Sequence, residues 1–566
     1  MKIHQLCVSL LALSILSACG GGDSSSDSSD SESTTNNNTT VNDDSTTSSP
    51  TTNTTTEDYR VLAFNDLGMH CIDREYSVYS ILPPYNVLNA QVIKRGSEPQ
   101  LLNANNVDVY YDAVLDSNGS YNSSSVTKTD FWQHANALFG VELQNGEGLK
   151  GFYMPSDNPN APGAQAIPYN NTHNWFSAEG IPITPLDDSN WVNPYPLMRV
   201  SAWDKATGQQ LASLDAVVPV AQETDCQNCH ATGEVATLKV ALDWAQDSNL
   251  ELQSKKNVLK LHDYKHNTQL EQSTPVLCAS CHYSAALDLT GAGPQNKQVG
   301  KPTMSAAMHQ HHGELKDASG NLLFPSDASV EQTCYQCHPG KTTQCQRGAM
   351  RNGGMQCNNC HGDIRAVGNS AREPWKDLPA CQSCHTGDAS NHISGNDVVM
   401  ADDGIRLRQA FRNGDATATP IKASNTRFAE NTDTLFRNSK GHGGIACEGC
   451  HGSTHAIWPA KSNDNVAAEQ LQGHSGTLRD CNVCHTSLPI TLDGPHGMHN
   501  VGDSRWSSEE GHGHAYERNA STCKACHGTD LLGTPLGEMS QTRTIGQVTL
   551  QAGEEVACNR CHRLPH

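Results

Sequence analysis

Nine times in this chain two cysteines stand three residues apart with a histidine directly after the second. The copies are Cys226, Cys229 and His230; Cys278, Cys281 and His282; Cys334, Cys337 and His338; Cys357, Cys360 and His361; and Cys381, Cys384 and His385. They continue with Cys447, Cys450 and His451; Cys481, Cys484 and His485; Cys523, Cys526 and His527; and Cys558, Cys561 and His562. With 22 cysteines and 27 histidines among 566 residues, chance would supply about 0.04 such triplets. Two thiols at this spacing can each form a thioether with one vinyl group of a haem, and the adjacent histidine then reaches the iron from the proximal side. A zinc site needs no histidine after each pair and gathers its pairs in matched sets around the metal. A thioredoxin-like dithiol would occur once, beside a βαβ pattern. The spacing therefore predicts nine covalently bound haem c groups.

The sixth position of each iron decides between electron transfer and substrate chemistry. Outside the motifs, His4 falls in the leader and His70, His134 and His173 in an aromatic-rich region, which leaves 14 histidines for nine irons. They gather near the motifs. His262 and His266 precede the second; His309, His311 and His312 precede the third; His442 and His455 flank the sixth. His474 precedes the seventh, and the pairs His496 and His499, and His512 and His514, precede the eighth. We expect distal ligands at His262, His266, His309, His312, His442, His455 and His474, with one more from each of the last two pairs. His392 and His566 are held in reserve. No copy replaces the motif histidine by lysine, which weakens a reductase reading, although an open distal site would leave no motif.

The elements that must position these residues are unevenly supplied with core material. Tyr59 to Ala221 holds 19 aromatic residues, whereas Cys226 to His566, with every motif, holds 12. Only 36% of the chain is hydrophobic, so planar cofactors are expected to provide the missing apolar bulk. This later region is expected to be short helices joined by long loops, since Gly, Pro and Asn are frequent. Glu234 to Leu261 is its best helix candidate. The third, fourth and fifth motifs start only 23 and 24 residues apart and should lie in contact. A faint echo links Cys357–His361, Gly362 and Trp375 to Cys447–His451, Gly452 and Trp458, as two-haem modules would. The earlier region alternates at 107–114 and again at 197–203, with turns at Asn118-Gly119, Asn145-Gly146 and Thr207-Gly208, and is expected to be a haem-free β-sandwich.

The domain order follows: 1–18 a leader, 19–57 a tether, 58–221 the β-rich region, 222–566 the nine-motif region. Lys2 and the apolar run Leu6 to Leu16 form a secretion signal too short to span a bilayer. It ends in Leu16-Ser17-Ala18-Cys19-Gly20, which resembles the lipobox of bacterial lipoproteins; the resemblance implies cleavage before Cys19, its lipidation, and an outer-membrane location facing the periplasm or the cell surface. Residues 20 to 57 are almost wholly Gly, Ser, Asp, Thr and Asn and have nothing to bury. A net charge of −22 argues against nucleic acid as a partner. A mean hydropathy of −0.55 with one long apolar run excludes a multispanning membrane protein and leaves a lipid anchor as the membrane attachment.

The region 222–566 resembles the large multihaem c-type cytochromes with which bacteria pass electrons to extracellular acceptors. The resemblance rests on all nine motifs and on local strings: Leu261-His262-Asp263 with His266 before Pro275 to Cys278, Lys440-Gly441-His442 before Cys447, and Cys450-His451-Gly452-Ser453-Thr454-His455. Asn65-Asp66-Leu67-Gly68-Met69-His70-Cys71 resembles the leader domain of some such proteins. The family's habit implies bis-histidine irons and a carrier that hands electrons to partner cytochromes, an outer-membrane conduit, cationic shuttles or a metal oxide. The alternatives are a reductase of a small oxyanion or nitrogen compound and a subunit of a conducting filament. Two cysteines remain once Cys7 leaves with the leader, Cys19 is lipidated and 18 are bound in motifs. These are Cys71 and Cys345, and in an oxidising compartment they suggest one disulfide stapling the two regions.

Overall fold

The computed structural model describes residues 57–385, 388–393, 398–401, 406–412, 419–487, 494–499, 506, 508–539 and 542–564. The leader, Cys19, the tether to residue 56 and His566 lie outside the described residues.

The first region is built of strands Tyr59–Phe64 (β1), His70–Cys71 (β2), Tyr79–Ser80 (β3), Asn86–Lys94 (β4), Gln100–Leu102 (β5) and Val107–Ala113 (β6). Gln165–Ala166 (β7), Tyr169–Asn170 (β8), Trp175–Ile181 (β9), Leu197–Asp204 (β10), Gln210–Val217 (β11) and Val220–Ala221 (β12) follow. One antiparallel sheet runs β1-β4-β9-β8 with β5 also on β4, and a second runs β11-β10-β6-β7. In β6 the side chains of Val107, Val109 and Tyr111 are buried while Asp108, Tyr110 and Asp112 are partly exposed, the period of two that a half-buried strand requires. Register sets Val61 opposite Val92, and Val200 between Tyr111 and Leu214. The inward faces of both sheets enter one core that includes Val61, Leu88, Val92, Val109, Tyr111, Val200 and Leu214. Gly119, Gly146 and Gly208 all take positive φ at the turns, where a side chain would be strained.

Strand β4 breaks the alternation. All its residues but Lys94 are buried, as happens when both faces of a strand are covered. The second cover is the later region. Gln91 donates to Gly444 O at 3.0 Å and accepts from Ala446 N–H at 2.8 Å, while Leu62 and Ile93 pack with Leu478 and Val483 and against Cys450 and Cys484. Trp458, Ala467 and Ala468 reach into the main core between the sheets. The two regions thus share their apolar interior rather than each completing its own.

The later region is short helices and turns. Its longer helices are Leu250–His266, Met304–Gly313, Ser462–Gln472 and Glu509–Arg518. The helix expected at 234–261 is displaced to 250–266. Asn249 stops it on the N-terminal side by accepting from the N–H groups of Glu251 and Leu252, and Asn267 closes it in the left-handed conformation at φ 52°, the two ends that cap geometry favours. The residues before Asn249 fold instead as turns around Thr232, whose hydroxyl donates to Ala245 O at 2.6 Å. Apolar clusters formed by this region alone are small, such as Ala389, Leu407, Ile421 and Ala423, or Ala410 with Phe411. Among the described residues no helix is long and apolar enough to cross a membrane.

Candidate metal centres

Each motif folds as a single helical turn. Five are α-helical, ending at His230, His361, His385, His451 and His527, and four begin with a 3₁₀ turn at Cys278, Cys334, Cys481 and Cys558. The N–H of the motif histidine donates to the carbonyl of the first cysteine, at 2.9 Å for His230 and His338 and 2.8 Å for His485. A turn closed in this way sets the first and second cysteines three residues apart on one face with the histidine above the first. Two motifs related by the internal echo end alike: Gly362 and Gly452 take φ of 77° and 74°, and a Cβ at Gly452 would press on the Trp458 indole. The echoed tryptophans diverge. Trp458 is buried in the core between the sheets, whereas Trp375 lies under the Arg437 guanidinium at 4.9 Å.

Across from the motif turns the fold sets a second histidine. Ring centroids are 6.3 Å apart for His230 and His312, 6.4 Å for His282 and His262, 5.9 Å for His338 and His309, and 6.2 Å for His361 and His455. They are 5.8 Å apart for His451 and His496, 6.1 Å for His485 and His442, 6.4 Å for His527 and His499, and 5.7 Å for His562 and His512. One metal ion held by two imidazole nitrogens, each about 2.0–2.1 Å away, puts the ring centroids about 6 Å apart. The eight pairs fit that geometry.

Hydrogen bonds turn the same nitrogen inward. Nδ1–H donates to a backbone carbonyl from His309 to Ser305 at 2.8 Å, His312 to Met308 at 2.6 Å, His455 to Leu67 at 3.0 Å, His496 to Arg427 at 2.7 Å and His512 to Trp506 at 3.0 Å. On the motif side His282, His485 and His527 do the same to Pro302, Ser97 and Val556. Such a bond fixes the tautomer and leaves the Nε2 lone pair for a metal. Loss of solvent, with the facing imidazole second, pushes His361 down to about 3 and His230 and His451 down to about 4. These three rings are therefore neutral, the form that ligates.

The sulfur environments point to an uncharged sulfur. Desolvation pushes the thiol of Cys360 up to about 11 and those of Cys384 and Cys450 up to about 12, which disfavours the thiolate that zinc or a redox dithiol uses. Cys334 goes the other way, held down by a hydrogen bond from Cys357. Among the described residues no three His, Cys, Asp or Glu side chains converge on one point. A haem iron, with four ring nitrogens of its own, would need two further ligands, the number that one pair of rings offers.

Sequence proximity did not reveal which motif each distal candidate faces. His312 faces the first motif, His309 the third, His455 the fourth, His442 the seventh and His496 the sixth. Both His496 and His499 face motif histidines, where one of the two was expected; of His512 and His514, His512 does so, and His514 is exposed beside Glu517. His266 lies against His262 with centroids 4.8 Å apart. In His474 both nitrogens are engaged, Nδ1 with Ser475 O and Nε2 with Asp480. His311 bonds Lys265, and His392 bonds Ser424. His385 of the fifth motif lies 6.3 Å from the Phe428 ring. Two aromatic residues carried no signal in the sequence. Phe428 stands between His385 and His496, at 6.3 and 4.9 Å, and Trp506 between His499 and His512, at 4.1 and 5.8 Å.

The string Asn65 to Cys71 has a local role. Its Leu67 carbonyl orients His455, its Asn65 carbonyl accepts from Ser453, and Gly68, at φ 80°, admits Ser453 and Ala456 where a Cβ would crowd them. Cys71 pairs with Ala221 across β2 and β12, and Cys345 packs on the cluster formed by Ala221, Met69 and Tyr195. Both are thiols here; desolvation, with Cys345 as the next cause, raises Cys71, and desolvation pushes Cys345 up to about 11.

Comparison of the chain with protein-family models, curated proteins and solved structures finds no match.

Proposed function

We propose that this chain is a nine-haem c-type cytochrome that carries electrons, anchored through a lipid on Cys19 and working at or outside the outer membrane. The observation that carries the reading is the set of eight motif histidines facing a second histidine at 5.7–6.4 Å between ring centroids. Thioethers from the eighteen motif cysteines would hold the haems, and the paired imidazoles would fill both axial positions, which favours electron transfer over binding of a substrate at iron. Bound haem would supply one-electron chemistry; the protein orients rings such as His455, His496 and His512 by an Nδ1–H bond to a backbone carbonyl. The small clusters of the later region are consistent with a domain packed around its cofactors, following a β-sandwich that shares its core with it. A net charge of −22, made more negative by haem propionates, would draw cationic partners: basic patches on other cytochromes, cationic shuttles or mineral surfaces, with salt-sensitive association.

The test is a mass and spectroscopic count of the protein matured in an exporting host. We expect a mass increment of nine haems and low-spin bis-histidine signals by electron paramagnetic resonance and magnetic circular dichroism. High-spin or methionine-ligated signals from several centres would overturn the reading.

A further inference from the structure

Several neighbouring motifs share the short segment that supplies their axial histidines, and this sharing places them relative to one another. His309 and His312 lie three residues apart on the helix Met304–Gly313, yet one faces the third motif and the other the first; residues at that spacing are neighbours on a helix surface. The first motif is tied to the second through the helix Leu250–His266, where Asn257 donates to His230 O at 2.9 Å and His262 faces His282. The fourth lies beside the third, because Gly368, just past the fourth, sits against the backbone of His309 and Gln310.

The sixth motif is different in having four such ties. His455, which faces the fourth motif, is only four residues past His451. Phe428 lies between His385 of the fifth and His496, the ring facing His451. Cys450 and Cys484 of the seventh flank one apolar cluster, and Leu478 N–H donates to Cys450 O at 2.9 Å. His496 stands three residues from His499, the ring facing the eighth motif. The eighth in turn meets the ninth through Trp506, set between His499 and His512.

We infer that the nine centres form a branched array, not a line in sequence order, with its junction at Cys447, Cys450 and His451. Its ends are the second, fifth, seventh and ninth motifs. The seventh abuts the sheet region, where Thr486 N–H donates to Gly96 O at 2.9 Å and His485 bonds Ser97. An array of this form lets electrons taken in at one end leave at any of three others, so the protein would serve more than two redox partners. The inference rests on the haem reading above.

An anomalous-scattering map at the iron edge, from crystals of the full holoprotein, tests it. The expected result is nine iron peaks in which the iron bound by His451 has the irons of the fourth, fifth, seventh and eighth motifs as its nearest neighbours. Nine peaks in which that iron has only the fifth and seventh beside it would overturn the branched order and leave the haem reading intact. A map without iron at the motif histidines would overturn both.

Discussion

The guanidinium of Arg347 grips both carboxylate oxygens of Asp464, Nε to Oδ2 at 2.5 Å and Nη2 to Oδ1 at 2.6 Å, and neither side chain is more than 4% exposed. The same guanidinium donates to Gly68 O at 2.7 Å and Cys345 O at 2.8 Å, so one residue ties together the string before β2, the loop after the third motif and the helix Ser462–Gln472. Removing one partner strands the other charge away from water. Arg347→Ala is expected to lose about 3–5 kcal/mol of stability. Arg347→Lys, which keeps the charge but not the two-pronged geometry, should lose less. Denaturant titration of the holoprotein measures both, and a loss below about 1 kcal/mol for the alanine variant would refute the role.

Glu448, inside the sixth motif, is fully buried, and neither carboxylate oxygen has a hydrogen-bond partner. Burial first and the Asp66 charge second raise its carboxyl well above 4.5, against a smaller opposing pull from Arg437. The folded chain thus keeps a proton that the unfolded chain gives up near pH 4.5. Stability is fully present below that pH and falls as pH rises toward the folded value, by at most about 1.4 kcal/mol per pH unit. Glu448→Gln removes this loss. Melting temperatures from pH 4 to 8 should converge for the two proteins at the acid end and separate in favour of the variant toward pH 8; parallel curves would exclude the mechanism.

His496 and His474 separate axial ligation from mere proximity. On the proposed reading His496→Ala takes away the second axial ring at the sixth motif and should convert one low-spin centre to a high-spin one. His474, with both nitrogens already bonded, should tolerate alanine without any spectral change. Electron paramagnetic resonance of the two variants decides, and a high-spin signal from the His474 variant alone would reverse the assignment.

Cys345 packs on the cluster that holds Ala221, the strand partner of Cys71, which lies 274 residues earlier in sequence. Protein purified from an oxidising compartment is expected to carry them as a disulfide, and Cys345→Ser should cost about 2–4 kcal/mol. Alkylation of both thiols without reductant, read by mass spectrometry, would show that the staple does not form.

Much of the local structure was legible because local forces set it. The alternation at 107–113 and 197–204 survives as β6 and β10, since a two-residue period has one way to bury its apolar face. The turn glycines were legible for the same reason. The burial of β4 on both faces was not, because its outward residues Asn89 and Gln91 are polar and find their partners in Ser177 and the distant 444–446 backbone. Nor was the start of the helix at Leu250, where an asparagine cap outweighed a run of good helix formers from 234.

By itself the sequence determined the nine motifs, the residue types in them and the excess of histidines. The spacing of Cys-x-x-Cys-His is a single turn of backbone and needs no distant partner. The tertiary structure alone decided which second histidine meets which turn. His455 reaches the fourth motif, 94 residues before it, and His312 the first, 82 residues before it. Those pairings depend on where loops return and on carbonyls such as Leu67 O and Arg427 O that orient the rings. A contact between elements distant in the chain leaves no periodic trace in sequence, so the order of the centres emerges only when the chain is folded.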